Sequence, residues 1–254
     1  MNRQHYVKLA GYKAYSDLKA EMTRGYLGVI WWFVEPVLYM ATFYFAFAVM
    51  FKRGEGDYVS FLLCGLVFWK WFAGGVSLGC TSLISNRGIM RQVYIPKYIF
   101  PLVSVITATV KFFMVFVVLL IYLVSAGYGP SASWFWLITV FAIQFALTLG
   151  VAGVLGSLVP FLPELRGLAE NGLMLLFFLS GIFFDISSIS RVNADLLYLN
   201  PMAGLIDQYR NILLNGRADI SMLVYPACAS VILLIFAYLL LRHFDRQYPK
   251  VIMS

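Results

Sequence analysis

The chain has 254 residues, 61% hydrophobic and 12% charged, and carries a net charge of +7. Soluble domains run nearer half apolar and a quarter charged, so a water-soluble globular protein is excluded. The apolar residues are gathered into blocks of the ~20 residues that cross ~30 Å of hydrocarbon, and the alternating segments of an outer-membrane barrel are absent. A helical bundle remains, because in lipid every backbone N–H must bond within its own helix.

In chain order, residues 1–28 come first and lack the short apolar core and small-residue cleavage site of a signal peptide. A helix through residues 4–24 puts Val7, Gly11, Ala14, Tyr15, Leu18 and Met22 on one stripe, with Lys8, Lys13, Asp17, Lys19, Glu21 and Arg24 elsewhere. Such an amphipathic helix lies in the membrane interface, where lipid anchoring and contact with a cytoplasmic partner are both open. Six spans follow, at about residues 29–51, 58–83, 99–125, 134–159, 164–184 and 221–241. The expectation is an all-α polytopic membrane protein forming a single domain over residues 1–254.

Six spans put both termini on one side. With the termini inside, Arg3, Lys8, Lys13, Lys19, Arg24, Arg87, Arg91, Lys97, Arg166, Arg242, Arg246 and Lys250, the majority of the nineteen basic residues, are cytoplasmic. Lys52, Arg53, Arg191, Arg210 and Arg217 are outside, and Lys70 and Lys111 lie within spans. This bias sets the orientation and accounts for the net charge without nucleic acid.

The first span carries Trp31, Trp32, Phe33, Tyr39, Phe43, Tyr44, Phe45 and Phe47 at both ends and in its middle. Sugar rings present apolar C–H faces that stack on aromatic side chains, so an aromatic wall can pass a polymer without a deep binding minimum. All but Phe45, together with Phe177 and Phe178 of the fifth span, are candidates for a translocation path. For any single ring the alternative is an interface belt or a lipid-facing position. Glu35 and Lys111 lie at similar depths, ~10–15 Å from the cytoplasmic surface, and are expected to pair or to share a wet cavity.

Residues 84–98 form a cytoplasmic loop in which Arg87, Met90, Arg91 and Tyr94 share a face by helical spacing. A solvated loop and a partner-facing helix both fit this pattern. The uncharged part of the fifth span, residues 172–184, is thirteen residues and contains Ser180-Gly181. Its helix must borrow polar turns from Glu164 onward or end inside the membrane. In the outer segment 185–219, Asn200 can cap and Pro201 can open a new helix, so short re-entrant helices are expected between spans five and six.

Cys64, Cys80 and Cys228 sit in apolar blocks, and His5 and His243 lie at opposite ends, so neither a disulfide framework nor a metal site is indicated. No G-x-x-x-x-G-K-[ST] loop occurs, and the acids Asp185, Asp195, Asp207 and Asp219 are scattered as helix caps would be. No enzymatic centre and no cofactor in this chain are expected.

Three stretches resemble a known family. They are Tyr26-Leu27-Gly28-Val29-Ile30-Trp31-Trp32-Phe33-Val34-Glu35-Pro36, then Gly65-Leu66-Val67-Phe68-Trp69 with Arg91-Gln92-Val93-Tyr94-Ile95-Pro96-Lys97 and Pro101, and finally Ser180-Gly181-Ile182-Phe183-Phe184 with Leu199-Asn200-Pro201 and Arg210. In this order and spacing they are similar to the permease subunits of type-2 ABC exporters for cell-surface polysaccharide, and the V-Y-I-P loop looks more like the O-antigen group than the capsule group; teichoic-acid permeases are related. The resemblance implies an inner-membrane homodimer exporting lipid-linked polysaccharide, bound to two copies of a separate ATPase that holds ATP and Mg. It also places the ATPase-coupling helix at Arg87, Met90, Arg91 and Tyr94. The alternatives are an exporter of another lipid or a drug, an ion-coupled carrier using Glu35, Lys70 and Lys111, and a membrane-embedded glycan or acyl transferase.

Overall fold

The computed structural model describes residues 3–23, 34, 37–38, 41–42, 45, 56–92, 94–188 and 190–253. Among them there is no strand. The helices are α1 (Arg3–Thr23), α2 (Gly56–Cys80), α3 (Ser82–Ser85), α4 (Arg87–Gln92), α5 (Ile99–Ser125) and α6 (Leu137–Leu158), followed by α7 (Leu165–Leu179), α8 (Arg191–Tyr198), α9 (Pro201–Leu213), α10 (Val224–His243) and α11 (Tyr248–Met253). Short 3₁₀ turns at Ala132–Trp136 and Ser221–Leu223 lead into α6 and α10.

Among the described residues, α2, α5, α6 and α10 are long and apolar enough to cross a membrane, which makes this a multi-pass membrane protein. The expected first span lies largely outside the described residues, and with it Trp31, Trp32, Phe33, Glu35, Tyr39, Phe43, Tyr44 and Phe47. The expected fifth span corresponds to α7, whose 15 residues extend only ~22 Å. It takes polar turns from just after Glu164 but stops short of the expected end at residue 184, at Ser180-Gly181, where Gly181 takes a φ of +67° that side chains disfavour.

Helix α2 is the axis of the bundle. Of its most apolar stretch 78% is buried, against 22% for α10. It packs on α5, α6, α7 and α9. Between apolar helices in lipid there is no hydrophobic drive to associate, so close van der Waals approach of small residues must hold them together. A Cβ added to Gly79 would lie 2.5 Å from the Ala152 Cβ, and one added to Gly156 would lie 2.6 Å from the Gly79 carbonyl oxygen, so α2 and α6 touch backbone to backbone. On its other side α6 presents Gly150 and Gly153 to Leu233 and Ala237 of α10. One polar tie reinforces the α2–α6 contact: Gln144 is fully buried and donates from Nε2 to the Phe68 carbonyl at 2.8 Å.

The core divides in two. The larger cluster fills the bundle with Phe68, Trp71, Phe112, Phe116, Leu147 and Tyr209, and the Phe68 and Tyr209 rings stack 3.4 Å apart. A smaller, separate cluster gathers Ala14, Leu83, Met90, Ile95, Ile99, Phe100, Val103, Leu241 and Tyr248 at the end of the bundle that carries α4. Of the expected amphipathic stripe on α1, Ala14 packs into this cluster, whereas Tyr15 is 64% exposed.

Candidate functional site

Helix α9 is positioned by its own first residues. Asn200 accepts from the Met202 backbone N–H through Oδ1 at 3.1 Å, Pro201 takes the first helical position, and the Asn200 Nδ2 donates to Ser180 Oγ at 2.7 Å. The cap that starts α9 thus also grips the residue where α7 stops. From this anchor α9 runs alongside α2, α6 and α10, with ten buried residues from Met202 to Leu213.

One of those residues is Arg210, only 5% exposed. Its Nε donates to the Phe61 carbonyl at 3.0 Å, Nη1 to the Gly181 carbonyl at 2.8 Å and Nη2 to the Ile182 carbonyl at 2.8 Å. The guanidinium lies 3.3 Å over the Phe61 ring. A planar fork with fixed donors suits this task, because it joins α2, the segment after α7 and α9 at one point. Gly65 makes room: a Cβ there would stand 2.7 Å from Nη2. Arg210 was counted among the basic residues of the outer segments, with no sign of its burial; the structure buries it, because the carbonyls freed where α7 ends need donors. Tyr58 adds a bond from its hydroxyl to the Phe183 carbonyl at 3.1 Å.

Beside this junction, α7 has no fully buried residue. An apolar cavity of about 560 Å³ separates it from α6 and α10. Of the two aromatic candidates described, Phe177 packs against Trp69 and Phe183 at 6.0 and 5.1 Å, whereas Phe178 is 51% exposed. The two rings meet edge to face at 5.2 Å, and both lie against Phe183.

Lys111, near the middle of α5, lines a second cavity of about 290 Å³ together with Lys70 from the middle of α2. The sequence placed both lysines within spans but gave no sign that they meet. Its expected partner Glu35 lies outside the described residues.

At the α4 end, Arg87 and Arg91 are exposed while Met90 is 7% exposed, turned into the smaller cluster. The expected single face of Arg87, Met90, Arg91 and Tyr94 is therefore divided. Met90 turns inward because Leu83, Leu241 and Tyr248 give it apolar cover, and Tyr94 follows after α4 has ended. Tyr94 is 65% exposed and donates its hydroxyl to Asp245 Oδ2 at 2.6 Å. Lys97 is buried, donates to the Ile95 carbonyl at 3.1 Å, and stands 4.0 Å from Asp245 Oδ1. Burial pulls the Lys97 ammonium below the usual lysine range, against the opposing pull of the Asp245 carboxylate. Asp245 was not singled out in the sequence, since one acid in a basic tail carries no local signal. Among the scattered acids, Asp219 caps the turn at Ser221, accepting from its N–H and hydroxyl at 3.0 and 2.7 Å, and Asp207 accepts from the Tyr198 hydroxyl at 3.2 Å.

A family model described as ABC-2 type transporter matches residues 17–214, from α1 to just past α9. The chain is 29% identical over 204 residues to the O-antigen export system permease protein RfbA of Klebsiella pneumoniae, covering 80% of this chain and 79% of the relative. To the protein of the same name from Myxococcus xanthus it is 28% identical over 223 residues, covering 86% and 85%.

Replacing Arg210 by Met should leave the buried Gly181 and Ile182 carbonyls without their donor, at about 1–3 kcal/mol each, and sharply lower the yield and melting temperature in detergent. Gly65→Ala should also destabilise, by about 1–3 kcal/mol of overpacking. In an Arg210→Lys background, which lacks the Nη2 atom, the same Gly65→Ala change should cost less. Equal losses in both backgrounds, measured as melting-temperature shifts, would show that Gly65 does not serve the guanidinium.

Proposed function

The chain belongs to the ABC-2 type transporter family, and we propose that it is the permease subunit that exports a lipid-linked, O-antigen-like polysaccharide across the inner membrane, driven by a separate ATPase. The substrate follows from the relatives, which are named as O-antigen export permeases. ATP and Mg belong to that partner, since the chain has no phosphate-binding loop of its own. Two copies of this chain with two ATPase subunits enclose the path, because one small bundle is narrow for a polymer and closed symmetry supplies the second wall.

The observation that carries this reading is the Arg210 junction. It ties the truncated end of α7 to α9, and Tyr209 of α9 stacks on Phe68, which lies about 18 Å along α2. We read α8 and α9 as re-entrant helices between the fifth and sixth spans, since non-helical backbone at membrane depth is tolerated where protein buries it or a path runs beside it. The cavity-flanked α7, with exposed Phe178, then forms the path wall together with the aromatic first span. Both termini, α1, α4 and α11 are cytoplasmic, and the positive-inside bias strengthens once Arg210 is taken out of the outer tally.

Arg87 and Arg91 are the ATPase-facing residues of the coupling helix, and Met90 serves as its anchor. Glu35 is proposed as the partner of Lys111, by direct pairing or through a shared wet cavity, because a cation at the bilayer centre costs about 2.5–3.5 kcal/mol.

Three measurements test these assignments. In a cysteine-free variant, cysteines at Gly129 and Gln247 should react with a membrane-impermeant thiol reagent only from outside and only from inside, respectively; labelling of both from one face rules out six spans. Removing the charge of Glu35 or of Lys111 alone should lower the melting temperature more than removing both, and additive losses would refute the pairing. Arg87→Glu combined with Arg91→Glu should leave a folded permease that no longer co-purifies with its ATPase and exports no polymer. Wild-type export by this variant, at equal protein level, would mean that the ATPase acts elsewhere.

A further inference from the structure

The smaller core cluster is built from distant parts of the chain that all end on one side of the bundle. Met90 of α4 and Ile95 after it meet Ile99 at the start of α5, Leu241 at the end of α10, and Tyr248, fully buried at the start of α11. Helix α11 packs directly on α4. The polar ties run the same way: Asp245, between α10 and α11, accepts from Tyr94 at 2.6 Å and faces Lys97 at 4.0 Å, while the Lys97 ammonium also stands 4.9 Å from the centre of the Tyr94 ring. Three groups thus close a ring between the loop after α4 and the tail of the last span. A charge-assisted hydrogen bond is shorter and stronger than a neutral one, and here a buried ammonium holds the carboxylate in place.

We infer that the tail after the last span is a strap fixing the coupling helix to α10, with Asp245 as its positioning residue, so that a push delivered at Arg87 and Arg91 moves α10 and not the loop alone. This inference rests on the coupling role proposed for Arg87 and Arg91. The route beyond the strap is close-packed: α10 meets α6 at Gly150 and Gly153, and α6 meets α2 at Gly79 and Gly156. Helix α2 carries Phe61 and Gly65, the residues that receive Arg210. A displacement at the cytoplasmic end therefore reaches the junction that holds α7 and α9 through contacts too tight to absorb it. Without the strap the short α4 would swing on its loop and the stroke would be lost there.

The test uses the permease–ATPase complex in membranes and reads polymer exported per ATP hydrolysed. Asp245→Ala should keep the ATPase bound, yet lower that ratio by roughly fivefold or more, the lower end of the usual range for coupling between two sites. Tyr94→Phe, which removes only the hydroxyl, should lower it in the same direction, and the double variant should be no worse than Asp245→Ala alone, since both break one contact. Asp245→Glu, which restores an acceptor and a charge, should recover part of the ratio. A merely structural role would instead lower melting temperature and yield while sparing the ratio. If Asp245→Ala fails to accumulate, Tyr94→Phe decides by itself. If the Arg87/Arg91 double reversal abolishes export while Asp245→Ala and Tyr94→Phe keep the wild-type ratio, the strap is refuted and the coupling site stands. If the double reversal exports normally, the coupling site itself is wrong.

Discussion

One guanidinium joins α2, α9 and the turn after α7, and gives donors to carbonyls that the end of α7 leaves without a helical partner. The chain after α7 turns at Gly181, and the carbonyls of Gly181 and Ile182 face inward with no helical partner of their own. Arg210 supplies a donor to each, and its third bond goes to Phe61 on the central helix. A buried ion is costly unless every donor is used and the charge is faced by dipoles or π electrons. Three carbonyls and the Phe61 ring meet that requirement, and the absent side chain at Gly65 lets them approach. The buried α9 and the placement of the turn after α7 both depend on this contact.

The remaining helices are held by a different force. Gly79 against Ala152, Gly156 against the Gly79 carbonyl, and Gly150 and Gly153 against α10 bring backbones together wherever a side chain would keep them apart. Lipid tails compete equally well for a leucine surface, so only tighter packing than lipid can offer favours these pairings. The resulting α2–α6–α10 stack is stiff. Helix α7, flanked by a cavity and bearing no fully buried residue, is not part of it. This division between a stiff stack and a loosely seated helix suits a transporter, in which one part of the wall must move while the rest holds.

The amino-acid sequence by itself determined the elements that depend on one stretch of chain. Four apolar blocks became helices of spanning length at the expected positions, α7 took its polar first turns from just after Glu164, and Asn200-Pro201 opened α9 with the cap those residue types provide. Hydropathy, glycine at a positive φ and side-chain capping act within a few residues, so they can be read without knowing what lies across the bundle. Tertiary structure alone decided which residues meet. Arg210 reads only as a cation of an outer segment until Phe61, 149 residues away, is placed beside it, and Tyr94 reads as part of a partner-facing stripe until Asp245, 151 residues away, takes its hydroxyl. Met90 turned inward because the tail and α10 bring Tyr248 and Leu241 into one buried cluster with it, and Lys70 joined Lys111 because both lysines line one cavity between two helices. Such pairings are properties of two distant positions at once, and no local pattern of charge or hydrophobicity encodes them.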